Sequence, residues 1–434
     1  MQIAPLIPAH SSILIGLSGG VDSVVMLHLL HYLAPCFSWQ LSALHVHHGI
    51  SPNASDWEDF CARLCERLRI PLHVEHVDIA PLRAHGIEAA ARKLRHAALA
   101  RQVCDFVALA HHADDQAETL LLQLLRGAGV RGAAAMAMFS KGTPGLLRPM
   151  LHCSRQEILT YAAEQGLQWI DDDSNADDSY PRNYLRHRIL PLLEQKFPSY
   201  RDTLSRGARH FAEASGLLDE LAQQDAAQTI IGETLDVAVL QALSQSRAKN
   251  LLRFFLHQRG AAMPQSAQLD DMLKQLCGAR IDATVCICFG DWQVHRYQGL
   301  VHVQRAPAKL DRNLVLQWHG EAELGWPAHN ARLSFKHTQG DGISLLKLQS
   351  APVTLRLRSG GETLRPQPKA SRRSLKNLLQ EHHIPPWSRD RLPLLYCGDE
   401  LACVPGVAIA AEYRADGHEA AILVELEGAR TGKP

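Results

Sequence analysis

The sequence predicts an α/β protein: a doubly wound parallel sheet at the N-terminus, then a helical middle domain and a small α+β C-terminal domain. Three observations carry this. Strand-like and helical runs alternate through the first 125 residues, a small polar loop interrupts the first of these alternations, and charge is redistributed sharply beyond residue 210. At 434 residues the chain has room for several domains and a sizeable core.

The first element is the apolar run Ile13 to Leu17, which breaks into Ser18-Gly19-Gly20-Val21-Asp22-Ser23 just before an apolar helix expected from Asp22 to Leu33. Two glycines let the backbone approach an anion closely. The helix adds unpaired N–H donors and the positive end of its dipole at the same point. Ser18 and Ser23 can donate hydroxyl hydrogen bonds. Asp22, acidic beside a polyanion, makes sense through a bound Mg2+ that bridges carboxylate and phosphate. The loop reads as a site for the phosphates of ATP, and it matches neither G-x-x-x-x-G-K-[ST] nor G-x-G-x-x-G.

Further strands are expected at Leu41 to Val46, Leu72 to Val77 and Phe106 to Ala110, with helices at Ala54 to Arg69, Glu88 to Val103 and Asp114 to Leu125. In such a sheet ligands gather at the carboxyl ends of the strands. Two more segments fall there. His45-Val-His-His-Gly-Ile-Ser51 raises a zinc centre by its three imidazoles, but no Cys or carboxylate in the stretch completes a ligand set, so it is expected to wall the nucleotide pocket. Ala110-His-His-Ala-Asp114-Asp115-Gln-Ala-Glu118-Thr119 contains an acceptable capping box, which leaves the His pair and the doubled Asp unexplained. Asp114 and Glu118, four apart, would share a helix face and offer a magnesium-water site. Glu88-Ala-Ala-Ala-Arg92 starts the third helix, from which Arg92 could reach a triphosphate.

Lys plus Arg and Asp plus Glu both total 45, so net charge says nothing about partners while its distribution does. Arg126 to Arg155 holds five basic residues and no acid, and Arg182 to Arg209 holds seven against Glu194 and Asp202. Phe211 to Leu240 inverts this with six acids and no Lys or Arg. The ten cysteines show no C-x-x-C and read as reduced thiols. No leader or membrane-spanning run stands out, so the protein is expected in the cytoplasm.

Taken together, Ser18-Gly-Gly-Val-Asp22-Ser23, His45-Val-His-His-Gly-Ile-Ser51, Glu88-Ala-Ala-Ala-Arg92 and the 110–119 segment resemble the tRNA(Ile)-lysidine synthetases, members of the PP-loop ATP pyrophosphatase superfamily with an adenine nucleotide alpha hydrolase-like fold. The resemblance continues in Leu125-Arg-Gly-Ala-Gly-Val-Arg-Gly132, Leu147-Arg-Pro-Met-Leu151, Trp169-Ile-Asp-Asp-Asp-Ser-Asn175 and Arg182-Asn183-Tyr-Leu-Arg186. It implies adenylation of the wobble cytidine of tRNA(Ile) with a CAU anticodon at its C2 oxygen, followed by displacement of AMP by the side-chain amine of free L-lysine. ATP would be held by Ser18, Gly19, Gly20, Val21, Asp22, Ser23 and His45, and Mg2+ by Asp22 and Asp115. Asp22, Arg92, Asp115 and Glu118 would be catalytic; Asp115 or Glu118 would accept the proton of lysine or orient its ammonium form. Homodimerisation is left open.

The resemblance and the charge pattern divide the chain into a catalytic domain over 1–210, a mainly helical middle domain over 211–310 and a basic C-terminal domain over 350–434, with a weakly patterned link at about 306–350. Val353 to Arg358 alternates as a strand with a basic outer face. Gly360-Gly-Glu362, Leu375-Lys-Asn-Leu-Leu and Ile384-Pro-Pro-Trp387 resemble the family's C-terminal domain, which implies tRNA binding toward the acceptor stem. Arg182, Arg186, Arg365, Arg372, Arg373 and Lys376 are the expected tRNA contacts. A tRNA 2-thiolation enzyme is the rival reading. It shares the loop and adenylates the same kind of base, but needs cysteine pairs or an iron-sulfur cluster.

Overall fold

The computed structural model describes all residues except 1–3, 50–52, 81–86, 172–176, 281–282, 330 and 428–434. It divides into two compact units, Met1–Leu218 and Asp219–Pro434.

In the first unit, β1 (Ser12–Gly16), α1 (Val21–Phe37), β2 (Gln40–His47), α2 (Ala54–Leu68), β3 (Leu72–His76), α3 (Ile87–Arg101), β4 (Phe106–Ala108) and α4 (Ala113–Leu125) follow the expected alternation within a few residues. They are followed by α5 (Val130–Ala133), β5 (Phe139–Ser140), β6 (Gly145–Leu147) and α6 (Arg155–Glu164). Then come α7 (Pro181–Tyr184), a π-helical turn at Leu185–Ile189, α8 (Leu190–Lys196) and α9 (Tyr200–Ala227). The sheet order is β3-β2-β1-β4-β6-β5, parallel except for β5.

Both faces of β1 are buried, which is why its run is continuously apolar. Ile13 and Ile15 pack with Val24, Leu27 and Leu64 on one face, and Leu14 packs with Leu44, Ala98 and Leu99 on the other. After β3 the chain crosses back and adds β4 on the opposite side of β1. The loops leaving β1 and β4 therefore flank the point where strand order reverses, and the crevice opens there.

The second unit opens with β7 (Ile230–Ile231), β8 (Thr234–Asp236), α10 (Val237–Ala242), α11 (Gln245–Gln258) and α12 (Ser266–Gly278). With β9 (Val285–Phe289), β10 (Trp292–Tyr297) and β11 (Leu300–Arg305), these strands make a five-stranded antiparallel sheet against the expected helices, around Leu251, Phe255, Leu269 and Val294. The expected boundary at 210 falls inside α9, whose amphipathic pattern runs unbroken to Ala227.

The 306–350 stretch is not a link. It holds β12 (Val315–Trp318), β13 (Glu323–Trp326), β14 (Ala331–Gln339), β15 (Ile343–Ser344) and α13 (Leu345–Leu348). These belong with β16 (Val353–Arg356), β17 (Thr363–Leu364), β18 (Arg373–Ser374), α14 (Leu375–Glu381) and α15 (Pro386–Arg389). The remaining strands are β19 (Leu394–Cys397), β20 (Glu400–Val404), β21 (Ala408–Ile409) and β22 (Ala420–Glu427). β12 pairs with β16, and β14 pairs with β22 through Leu333↔Leu426 and Phe335↔Val424. β13 pairs only with nearby β14, but β12, β14 and β15 are completed by distant partners, so local pattern alone left the stretch illegible.

Candidate functional site

The loop after β1 is fastened before any ligand arrives. Gly19 has φ +88, a backbone conformation that L side chains rarely adopt, and it packs against Ile170 Cδ1, so the position favours glycine. Its carbonyl accepts from the Ile170 N–H at 3.0 Å. Ser23 Oγ accepts from the N–H groups of Ser18 and Gly19 at 3.2 Å and donates to the Gly20 carbonyl at 2.9 Å. Gly20 caps α1 without a side-chain bond, and the N–H groups of Val21, Asp22 and Ser23 lie in the first turn, where a helix leaves its donors unpaired. The anion donors are therefore the start of α1 more than the Gly-Gly turn itself.

His45, buried on β2, holds Leu17 from below: its Nδ1 lies 3.0 Å from the Leu17 carbonyl. Burial pushes its pKa down despite that bond, so the ring is a neutral brace. Ile50 and Ser51, at the end of the same motif, lie outside the described residues, as do Asp172 to Asn175; nothing is described of the Glu88 side chain.

Across the crevice, α4 carries the acids. Asp114 and Glu118 do not share a magnesium face. Asp114 is engaged by Arg201 and accepts the Arg155 N–H at 3.0 Å. Glu118 is fully buried, receiving Arg182 Nε at 2.6 Å and Arg186 Nε at 2.7 Å. Asp115 Oδ1 takes Arg182 Nη2 at 3.0 Å and Arg186 Nη2 at 3.2 Å, and its Oδ2 accepts the His112 N–H at 3.0 Å. Pro181 starts α7, and Arg182 and Arg186, four apart, point from one helix face to the same two acids.

Arg182 and Arg186 were expected to hold tRNA phosphates. Here their donors are directed to Glu118 and Asp115. Glu118, expected to be catalytic, is walled off with both oxygens used. A buried carboxylate selects the guanidinium fork over solvent, and the sequence shows only that the basic residues exist, not which way they turn.

Asp22 differs from these acids. Its Oδ1 is buried with no hydrogen-bond partner, while His112 Nε2 stands 3.8 Å away and Arg155 Nη1 lies 3.5 Å from Oδ2. Burial raises its pKa, with His112 and Arg155 opposing. Sequence reasoning missed His112 as a site residue. It is buried between Asp22 and Asp115, its Nε2 lying 3.4 Å from Asp115 Oδ2. Burial lowers its pKa, but Asp114, Asp115 and Asp22 outweigh this and the net shift is upward. The signal available in sequence was the His pair that the capping box could not explain.

Arg92 is exposed on α3, close enough to Arg148 and His111 to act on their titration. Arg148 is buried and donates to the Ala137 carbonyl at 2.7 Å. Burial brings His111 down to about 3. This leaves a neutral imidazole between Asp115 and the cations Arg92, Arg148 and Arg182.

In the second unit, Arg372 and Lys376 are exposed. Arg373 is paired with Glu381, its Nη1 at 2.9 Å from Oε2, and Arg365 Nε lies 3.5 Å from Glu412. The Gly360-Gly361 turn, at φ +99 and +85, lets Glu362 Oε1 accept the N–H groups of Ser359 and Gly360 at 2.6 and 2.7 Å.

Three family descriptions match the chain: a PP-loop domain over residues 2–193, a TilS substrate binding domain over 235–302 and a TilS substrate C-terminal domain over 353–426. The tRNA(Ile)-lysidine synthase of Nitrosomonas europaea is 43% identical over 92% of this chain and 88% of its own. That of Azoarcus sp. is 42% identical over 97% and 93%, and that of Coxiella burnetii 37% identical over 98% and 96%.

Proposed function

The chain belongs to the tRNA(Ile)-lysidine synthase family, and from that premise we propose that it joins free L-lysine to C2 of the wobble cytidine of tRNA(Ile) with a CAU anticodon, consuming ATP. The observation that carries the reading is the crevice at the switch point. It sets the PP-loop opposite His112 and Asp115, beside an Asp22 oxygen left unpartnered.

ATP binds with its phosphates at the start of α1. The C2 oxygen of the cytidine attacks the α-phosphorus and pyrophosphate leaves; the lysine amine then attacks C2, and AMP leaves with the oxygen. The donors of Val21, Asp22 and Ser23 and the cations Arg92 and Arg148 stabilise charge gathering on the departing pyrophosphate. Asp22 fits a magnesium ligand, because a buried carboxylate oxygen with no hydrogen bond calls for a cation, and Asp115 is the second carboxylate toward His112. Bound there, Mg2+ would neutralise phosphate charge.

Glu118 is sealed from solvent whereas Asp115 keeps an exposed edge, so Asp115 is the acid that meets lysine. Burial opposes its ionisation, but His112 and Arg182 depress its pKa. It therefore suits orienting an ammonium group better than accepting a proton. Arg372, Lys376 and Lys369, all exposed in the second unit, supply phosphate contacts to the tRNA away from the anticodon. A tRNA substrate makes this cytoplasmic work, and no described helix is long and apolar enough to cross a membrane.

The thiolation alternative is disfavoured. Burial pushes the Cys61 thiol, 3.5 Å from His45, up to about 12, and Cys65 to about 11, whereas sulfur transfer needs a thiolate. The deciding experiment incubates the purified chain with CAU-anticodon tRNA(Ile), MgATP and labelled lysine. Label should enter acid-precipitable RNA only with ATP. Pyrophosphate release without incorporation would instead mean a tRNA-adenylating enzyme with another nucleophile.

A further inference from the structure

The 45–48 histidine segment is only partly absorbed by the nucleotide crevice. Period-two alternation puts His45 and His47 on one face of β2; His45 is used to brace Leu17, and His47 is the last residue of the strand. Parallel pairing of β2 with β3 sets His47 directly beside His76 at the end of the edge strand, and their rings lie 4.6 Å apart. The carboxylate missing from the local sequence arrives from α2. Glu58 Oε2 is 3.5 Å from His76 Nε2.

We propose that His47, Glu58 and His76 form a binding site for a divalent transition-metal ion, Zn2+ foremost, separate from the carboxylates that suit Mg2+. One ligand atom from each residue lies within 4.8 Å of the other two. Two imidazoles with one carboxylate are the donor set of open zinc sites, in which water or a further ligand takes the fourth position. Imidazole favours Zn2+, Cu2+ and Ni2+ over Mg2+ and Ca2+, which prefer all-oxygen shells.

Bonds of about 2.0–2.1 Å in a tetrahedron place ligand atoms roughly 3.4 Å apart, so the three groups must draw in by up to about 1 Å. Side-chain rotation can supply that, since the His76 side chain is 65% exposed and that of Glu58 30%. A bound ion would tie α2, β2 and the edge strand β3 together at the end of the sheet from which the crevice opens.

The test uses the full chain, stripped with chelator, then equilibrated with Zn2+ and desalted. Metal content and thermal midpoint are measured for the wild type and for His47→Ala, His76→Ala, Glu58→Gln and the control His210→Ala. The wild type and His210→Ala should each retain one equivalent, with a midpoint that rises with zinc concentration, and millimolar Mg2+ should not displace it. Zinc affinity should fall ~100-fold in His76→Ala and His47→Ala, and less in Glu58→Gln. Equal retention by the wild type and His76→Ala, or none by the wild type, would overturn the site and leave a His76–Glu58 ion pair in its place. Circular dichroism of the stripped variants separates loss of ligand from loss of fold.

Discussion

Arg182 and Arg186 in the first unit turn inward to Glu118 and Asp115, whereas Arg372 and Lys376 in the second stand exposed. In sequence both stretches are runs of basic residues with few acids. Their environments give the charges different work. In the first unit each guanidinium meets a carboxylate that has lost its water, so the pair holds elements together and shapes the crevice. In the second, a cation facing solvent gains little from its neighbours and is available to a polyanion. A basic run is therefore evidence for nucleic-acid contact only after its internal acids are accounted for.

The contrast is broken most severely at Glu118. Glu118→Ala strands two arginines beside a buried hole and should cost about 3–5 kcal/mol in denaturant unfolding. Arg373→Ala, which removes a half-exposed partner of Glu381, should cost under about 1 kcal/mol. Equal losses would erase the distinction between the two regions.

Next comes Asp22→Ala, expected to slow tRNA-dependent pyrophosphate release by on the order of a hundredfold or more while leaving stability and tRNA binding near normal. Normal turnover would remove the argument for a cation at Oδ1. A smaller effect is expected from Arg372→Ala and Lys376→Ala. Each should reduce the salt dependence of tRNA binding by about 0.9 in slope, and Arg373→Ala by less because Glu381 already holds its charge. Filter binding across a salt series distinguishes these outcomes.

The smallest effect is on pH dependence, and its two limbs have opposite signs. Burial opposes ionisation of Asp114 and Asp115, but the imidazole of His112 and the arginines outweigh it, so both sit below 3.8 when folded. Their stabilisation is full above about pH 4 and is lost as pH falls through the folded values. His112 is raised above 6.5, so its contribution is full below that value and fades as pH rises through its folded pKa. Urea midpoints measured from acid to mildly alkaline pH should show both limbs, and His112→Gln should remove the upper one.

How legible each region was follows from how local its determinants are. The alternation from Ile13 to Leu125 is written in short apolar runs and turn residues, and the strands and helices appeared within a few residues of their expected ends. The loop was legible for the same reason, since Gly19 answers to its own φ and Ser23 Oγ fastens Ser18, Gly19 and Gly20 within a few residues. Glu118 and Arg182 were legible as residues, but their pairing was not, because burial depends on what packs over α4. The β14 to β22 pairing spans nearly the whole C-terminal part and leaves no trace in either strand alone. Glu58 completed a donor set from a helix that the histidine motif gives no reason to inspect.

The inward-turned arginines also impose an order on biosynthesis. Asp114 leaves the ribosome 87 residues ahead of Arg201, and Glu118 precedes Arg182 by 64. Until Arg182 and Arg186 emerge, Glu118 has no cation that would permit its burial, so the nascent first unit keeps that face of α4 open to water. That side of the crevice closes late in translation of the unit, after α7 and then the start of α9 have emerged.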